Sequence, residues 1–179
     1  LVTQFLTFAR PLHAELHPSE LSALLDRVLK NVSEHWKGKP VAIERVYAKS
    51  LPLVPLDESL CEQAFLNIVQ NAHEAMEEQG GVLRVEVARA RQNEIEGVVV
   101  RLTDSGPGIP EAMREEIFNP FVTTKKTGVG LGLSIVSQIV DGHHGTIRVE
   151  KGPQGGASFR IFFPLEESGE SHLFAATAG

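Results

Sequence analysis

Apolar residues along this chain recur at two spacings, and the alternation between them predicts its elements. Residues 1–10, LVTQFLTFAR, read as the end of a helix that Pro11 stops. Ser19 is a suitable N-cap for the next helix. Leu21, Leu24, Leu25, Val28, Val32 and Trp36 then fall at helical spacing until Gly38 and Pro40. Residues 41–47, VAIERVY, alternate as a strand does, and Pro52 and Pro55 mark a loop. A longer helix is predicted over 57–78, with Cys61, Ala64, Phe65, Ile68, Val69, Ala72 and Met76 as its apolar stripe and Gly80-Gly81 as its end. Strands near 82–89 and 97–103 form a hairpin turned between Asn93 and Gly97. Residues 104–130 are irregular, with one short helix near 111–117. A helix over 131–142 follows, then strands near 145–150 and 157–163. After Pro164 the chain turns small and polar and reads as a loose tail.

Composition narrows the class. The 179 residues are 42% hydrophobic and 22% charged, which suits one globular domain with a real core. The net charge of −6 disfavours general nucleic-acid binding, which depends on neutralising phosphates. An anion would have to be held by glycine loops and helix N-termini. One cysteine, Cys61, excludes internal disulfides and thiolate zinc clusters, and its place on a helix stripe predicts a buried, inert thiol. No apolar run is long enough to span a bilayer. A start at Leu1, in the middle of a helical pattern, leads us to expect a piece of a longer protein.

Sixteen glycines, about 9% against an average of about 7%, are the compositional excess. Five of them flank the irregular segment: Gly106 and Gly108 in DSGPGIP, and Gly128, Gly130 and Gly132 in TGVGLGL. The second cluster precedes a helix, where backbone N–H groups and the helix dipole favour a polyphosphate. It is neither a Walker loop nor a dinucleotide fingerprint. Taken alone, it suits a flexible helix-capping turn better than a phosphate loop. The first cluster fails as a calcium loop, because glycines stand where oxygen ligands are needed. Asp104 there either caps a turn or accepts a hydrogen bond from a flat ligand. Asn67 and Asn71 lie four apart on one flank of the 57–78 helix. Taken alone they read as surface amides, with magnesium ligation as the other reading. His73 is expected on the exposed side.

The order of these signals is more specific than any one of them. NIVQNAHEA (67–75), DSGPGIP (104–110), IFNPFVTTK (117–125), GVGLGL (128–133) and GGASFRIFFP (155–164) succeed one another. The set resembles the ATP-binding catalytic domain of sensor histidine kinases, in the GHKL superfamily, over roughly residues 19–165. Within that family, LVTQFLTFARP looks like the end of the second helix of the dimerisation domain, and it and NAHEA are similar in style to the nitrogen-regulation type of kinase. The resemblance implies an α+β, two-layer α/β sandwich of the Bergerat type, a mixed sheet of about five strands with helices on one face. It implies ATP and Mg²⁺ as cofactors. Asn71 would hold the metal and Asn67 would line the same face. Asp104 would accept the adenine amino group, Gly106 and Gly108 would make room for the ring, and Ile109 would pack near it. Phe118 and Phe121 would anchor a lid. Thr124, Lys125 and the Gly128-Val129-Gly130-Leu131-Gly132-Leu133 stretch would close over the phosphates, with Asn67, Asn71 and Lys125 forming the catalytic set.

The resemblance also implies a division of the chain. Residues 1–11 would end a dimerisation and phosphoacceptor helix, 12–18 would be a linker, 19–165 the catalytic domain and 166–179 a tail. The partners implied are ATP, the upstream phosphoacceptor domain and a response regulator. Neither nucleic acid nor membrane is expected to touch this chain. The full protein is expected to be a cytoplasmic or membrane-anchored homodimer, with this part in the cytoplasm. Glu74 stands where many members carry Lys or Arg, so Lys125, Lys126 or His73 would have to supply the positive charge; Val129 replaces a common hydroxyl residue. Gyrase-like ATP hydrolysis is disfavoured, because Asn67 occupies the position of the general-base Glu. A serine kinase of the anti-sigma type would not need the LVTQFLTFAR helix. A non-catalytic ATP-binding module is the remaining alternative.

Overall fold

A computed structural model describes residues 12–36, 40–123 and 130–166. The element order is β1 (His17–Ser19), α1 (Leu21–His35), β2 (Val41–Tyr47), β3 (Val54–Leu56), α2 (Glu58–Met76), β4 (Gly81–Gln92), β5 (Ile95–Asp104), α3 (Gly132–Gly142), β6 (Thr146–Lys151) and β7 (Ala157–Pro164). Five strands form one sheet in the order β2-β4-β5-β7-β6, and β1 pairs with β3 in a separate small ribbon. β2 runs parallel to β4, and the remaining neighbours in the large sheet are antiparallel. The sheet is therefore mixed, and the helices cover one face of it, as expected.

Alternation along each strand decides which side chains meet the helices. Val85, Leu102, Phe159 and Val149 are cross-strand partners in one buried row, and Val87, Val100 and Ile161 form the next. Against these rows pack Leu24, Leu25 and Val28 of α1, Phe65, Ile68 and Ala72 of α2, and Ile135, Val136 and Ile139 of α3. Phe65 meets Phe163 edge-on, with ring centres 6.3 Å apart. α2 starts where Asp57, as N-cap, accepts the Leu60 N–H at 3.1 Å. It ends where the N–H of Gly80, at φ +72°, donates to the Met76 carbonyl.

Several expectations are corrected. The N-cap of α1 is Glu20; Ser19 closes β1, and its hydroxyl donates to the His17 carbonyl. The segment around Pro55, expected as loop, carries β3, and β1 falls partly within the expected linker. Proline is tolerated there because the ribbon has only two strands, both of them edges. The first hairpin is longer than expected and turns on Asn93 and Glu94, both with positive φ. Gly97 lies inside β5, where the Phe162 ring occupies the space a Cβ would need. The helix expected near 111–117 is two short 3-10 turns, Glu111–Met113 and Glu116–Phe118. Residues 1–11 and 167–179, expected as a helix end and a tail, lie outside the described residues.

Candidate functional site: a strand-end carboxylate and a helix stripe

Asp104 continues the inward phase of β5 after Val98, Val100 and Leu102, so the sheet delivers a carboxylate to its core side at the strand's end. It is 5% exposed. Its Oδ1 accepts the Gly106 N–H at 2.9 Å and the Ala157 N–H at 3.1 Å. Burial pushes the carboxyl above its ordinary range, while those two backbone donors oppose the shift without cancelling it. Both bonds fall on Oδ1, so the second oxygen is directed elsewhere. Close packing around this group demands glycine. A Cβ on Gly156 would stand 1.9 Å from the Asp104 carbonyl oxygen, and one on Gly106 would meet Ala75 and Asp104 at 3.1 Å. Gly108, at φ +78°, lies against the Gly155 carbonyl. Ser105 fastens the loop's other side by accepting the Val82 N–H at 2.9 Å.

α2 connects this loop to a helix start. Asn67, Asn71 and Ala75 fall at successive fourth positions and form one stripe, about 12 Å from end to end. At one end Ala75 abuts Gly106. At the other the Asn67 amide donates to the Gly132 carbonyl at 3.4 Å, on the first residue of α3. Among the described residues no side chain caps α3, and Ser134 turns its hydroxyl to the Leu131 carbonyl. A helix start of this kind can offer its first N–H groups to an anion. Asn71 lies between the two ends, half-buried.

The two phenylalanines expected to anchor a lid stand in different surroundings. Phe118 packs edge-on against Phe159, with ring centres 6.4 Å apart. Phe121 behaves differently from the expected anchoring ring. Its side chain is 60% exposed, and it is held by its backbone, whose N–H donates to the Gly130 carbonyl at 2.9 Å. Gly130, at φ +75°, admits that approach. Ile109 and Leu133 pack partly buried against the core, and Leu131 is buried. Thr124, Lys125, Lys126, Gly128 and Val129 lie outside the described residues.

Two histidines differ from, or add to, the sequence reading. His73, expected on the surface, is half-buried and stacks on Trp36, with ring centres 4.4 Å apart. The helical stripe alone could not anticipate that Trp36 folds over it. His143, which sequence reasoning passed over, is buried at the end of α3. Its Nδ1 donates to the Ile139 carbonyl at 2.6 Å, and its Nε2 accepts the Asp57 N–H at 2.9 Å. Cys61 lies 3.3 Å from the same nitrogen. Burial pushes the Cys61 thiol far up, which fits the expected inert thiol. Gly156 and Ala157 were also missed as site residues, although GGASFRIFFP was singled out; nothing local says that they will meet Asp104.

The fold and this cradle define a class. Residues 56–167 match the model of the histidine kinase-, DNA gyrase B- and HSP90-like ATPase family. The chain belongs to that family. Its relatives include the sensory histidine kinase/phosphatase NtrB of Klebsiella oxytoca, 35% identical over 164 residues, with 88% of this chain and 46% of the relative covered. The sensor histidine kinase ZraS of Escherichia coli (strain K12) is 32% identical over 165 residues, covering 92% of this chain and 34% of the relative. The chain thus spans less than half the length of these relatives. Among solved structures, the catalytic domain of histidine kinase ThkA is 32% identical with a TM-score of 0.73, covering 84% of this chain and 98% of that one. Full-length ShkA in complex with AMPPNP is 28% identical with a TM-score of 0.76, covering 93% of this chain and 35% of that one. Among the described residues, no helix is long and apolar enough to cross a membrane.

Proposed function

We propose that this chain is the ATP-binding catalytic part of a sensor histidine kinase, and that the stripe from Asp104 to the start of α3 is its nucleotide site. The observation that carries this reading is the pairing of a buried carboxylate in a glycine-rich loop with a helix N-terminus that no described side chain caps, at the two ends of one α2 stripe. An adenine amino group would donate to Asp104, and Gly106 and Gly108 would let the ring lie flat against backbone. The phosphates would lie toward Gly130, Gly132 and Leu133, with Thr124, Lys125, Gly128 and Val129 closing over them. Guanine would place a carbonyl against the Asp104 carboxylate, so the site favours adenine.

Among the described residues, no group of three His, Cys, Asp or Glu side chains could hold a metal by itself. A half-buried amide oxygen beside a phosphate site does fit magnesium, which takes one or two protein oxygens and fills its shell with phosphates and waters. Asn71 would hold the ion and Asn67 would line its face. Bound there, the ion would offset the triphosphate charge. In the transfer, the bond from the γ-phosphorus to the bridging oxygen breaks as a nitrogen–phosphorus bond forms on a histidine, and ADP leaves. The chain's contribution is positioning and charge placement. The histidine would be carried by an upstream dimerisation domain, with residues 1–11 as its last helix, 12–18 as linker, 19–165 as catalytic domain and 166–179 as tail. A response regulator would take the phosphoryl group, as the complex of ThkA with response regulator protein TrrA suggests by analogy. The full protein would be a homodimer with this part in the cytoplasm. Gyrase-like hydrolysis is less well supported, because the Asn67 amide donates to Gly132 and has no carboxylate to activate water.

Isothermal calorimetry tests the reading. Mg-ATP should bind, GTP should compete poorly, and Asp104→Asn should weaken ATP by tenfold or more, since a hydrogen bond to a charged group contributes about 1.5–3 kcal/mol. Asn71→Ala should remove the magnesium dependence. Absence of heat with excess nucleotide, or an unchanged affinity in Asp104→Asn, refutes the site.

A further inference from the structure

The face of the sheet turned away from the helices carries an unusual row. Arg101 on β5 is the cross-strand partner of Arg160 on β7, and Arg160 is the partner of Arg148 on β6. Three guanidinium groups thus stand side by side across about 10 Å of sheet. Like charges directly opposite one another destabilise a sheet. Only part of this charge is compensated. Arg148 Nε lies 2.7 Å from Glu150, and Arg160 donates to the neutral Gln92 amide at 3.1 Å. Arg101 makes no ion pair among the described residues. Glu86, next along the row on β4, is engaged by Arg84, which also reaches Glu44. Burial, and then the Arg148 and Arg101 charges, pull the Arg160 guanidinium below its ordinary range. On this face the three strands therefore show three arginines against one carboxylate, Glu150, in a chain whose net charge is −6.

One ion pair and one neutral hydrogen bond offset the repulsion within the row only in part, and locally unfavourable patterns are expected at functional sites. We propose that the Arg101–Arg160–Arg148 row docks an acidic segment of polypeptide on the open face of the sheet. Guanidinium forks match carboxylates in bidentate pairs. A nucleic acid would meet the repulsion of the whole acidic chain, while a short acidic peptide segment needs only the local row.

Fluorescence anisotropy with a labelled synthetic peptide of alternating serine and glutamate, carrying three glutamates, tests this on the full chain. The peptide should bind in about 0.05 M salt and weaken strongly in about 0.5 M, where screening is short-ranged. The combined Arg101→Gln, Arg148→Gln, Arg160→Gln variant should lose at least about tenfold in affinity, while Arg84→Gln, on the same face but already paired, should keep most of it. The triple variant should melt at the same temperature or higher, because repulsion is relieved. Three results would overturn the proposal: no peptide binding, equal losses in Arg84→Gln and the triple variant, or a lower melting temperature in the triple variant, which would make the row structural. Tighter binding of a single-stranded oligonucleotide of equal charge would overturn the choice of partner.

Discussion

A carboxylate buried at a strand's end has to be held there by its neighbours, and Asp104 shows how. Two backbone N–H groups point at one oxygen, yet burial still raises the carboxyl above its ordinary range. The sign of the pH effect follows. A protonated Asp104 accepts the adenine amino group more weakly, having lost the charge that strengthens the bond, so ATP affinity should fall on acidification. The fall should begin above the ordinary carboxylate value of about 4, and it should be absent in Asp104→Asn; calorimetry across pH checks both. Stability runs the other way. A raised folded-state pKa contributes stability that is present below the unfolded value and lost as pH rises through the folded value. Ionised Asp104 therefore gives the ligand-free protein nothing at neutral pH. Asp104→Asn should melt at or above the wild-type temperature while losing nucleotide, which separates its role in binding from any role in folding.

At the scale of elements, α2 is the spine that gives the site its length. Its position is set by caps as well as by its apolar stripe. Asp57 caps its start with its side chain, and the Asp57 N–H in turn donates to His143 at the end of α3. One imidazole thereby ties the N-terminus of α2 to the C-terminus of α3. His143→Ala should leave a buried N–H unpaired beside a small cavity and cost about 2–3 kcal/mol in urea unfolding. ATP affinity should change much less, because the clamp lies at the opposite end of α3 from Gly132 and at the start of α2, away from Asn67 in its middle. A tenfold loss of affinity with unchanged stability would mean that His143 acts on the site directly.

At the scale of the whole molecule, the proposed nucleotide site would be reconciled with the −6 charge by local devices: backbone N–H groups, one helix terminus and an ion shared with the phosphates. The same scale sets the limits of the chain's own chemistry. His17 lies in β1, paired with β3 and away from the α2 stripe. Supplied with labelled Mg-ATP, the chain should take up no acid-labile phosphate by itself, and should label a separately supplied phosphoacceptor domain of the same protein. Phosphate retained on the chain alone would place an acceptor histidine within it.

Much of this architecture is legible in the pattern of residues. The stripe of α2, the alternation of β2 and the ordered motifs depend on neighbours a few positions apart, and local periodicity records them. Other features depend on partners far along the chain and have no local signature. Gly97 reads as a turn until Phe162 is laid over it. The three-residue strands β1 and β3 exist only because each provides the other's edge. His73 reads as exposed until Trp36 covers it. By itself, then, the sequence determined the main helices and strands, the family and the residues proposed to hold a nucleotide, because spacing and motif order are short-range properties. Tertiary structure alone decided that Asp104 is buried against Gly156 and Ala157, that His143 joins two helices, and that three arginines share one row. Those are meetings between residues tens of positions apart, and only the packed sheet brings them together.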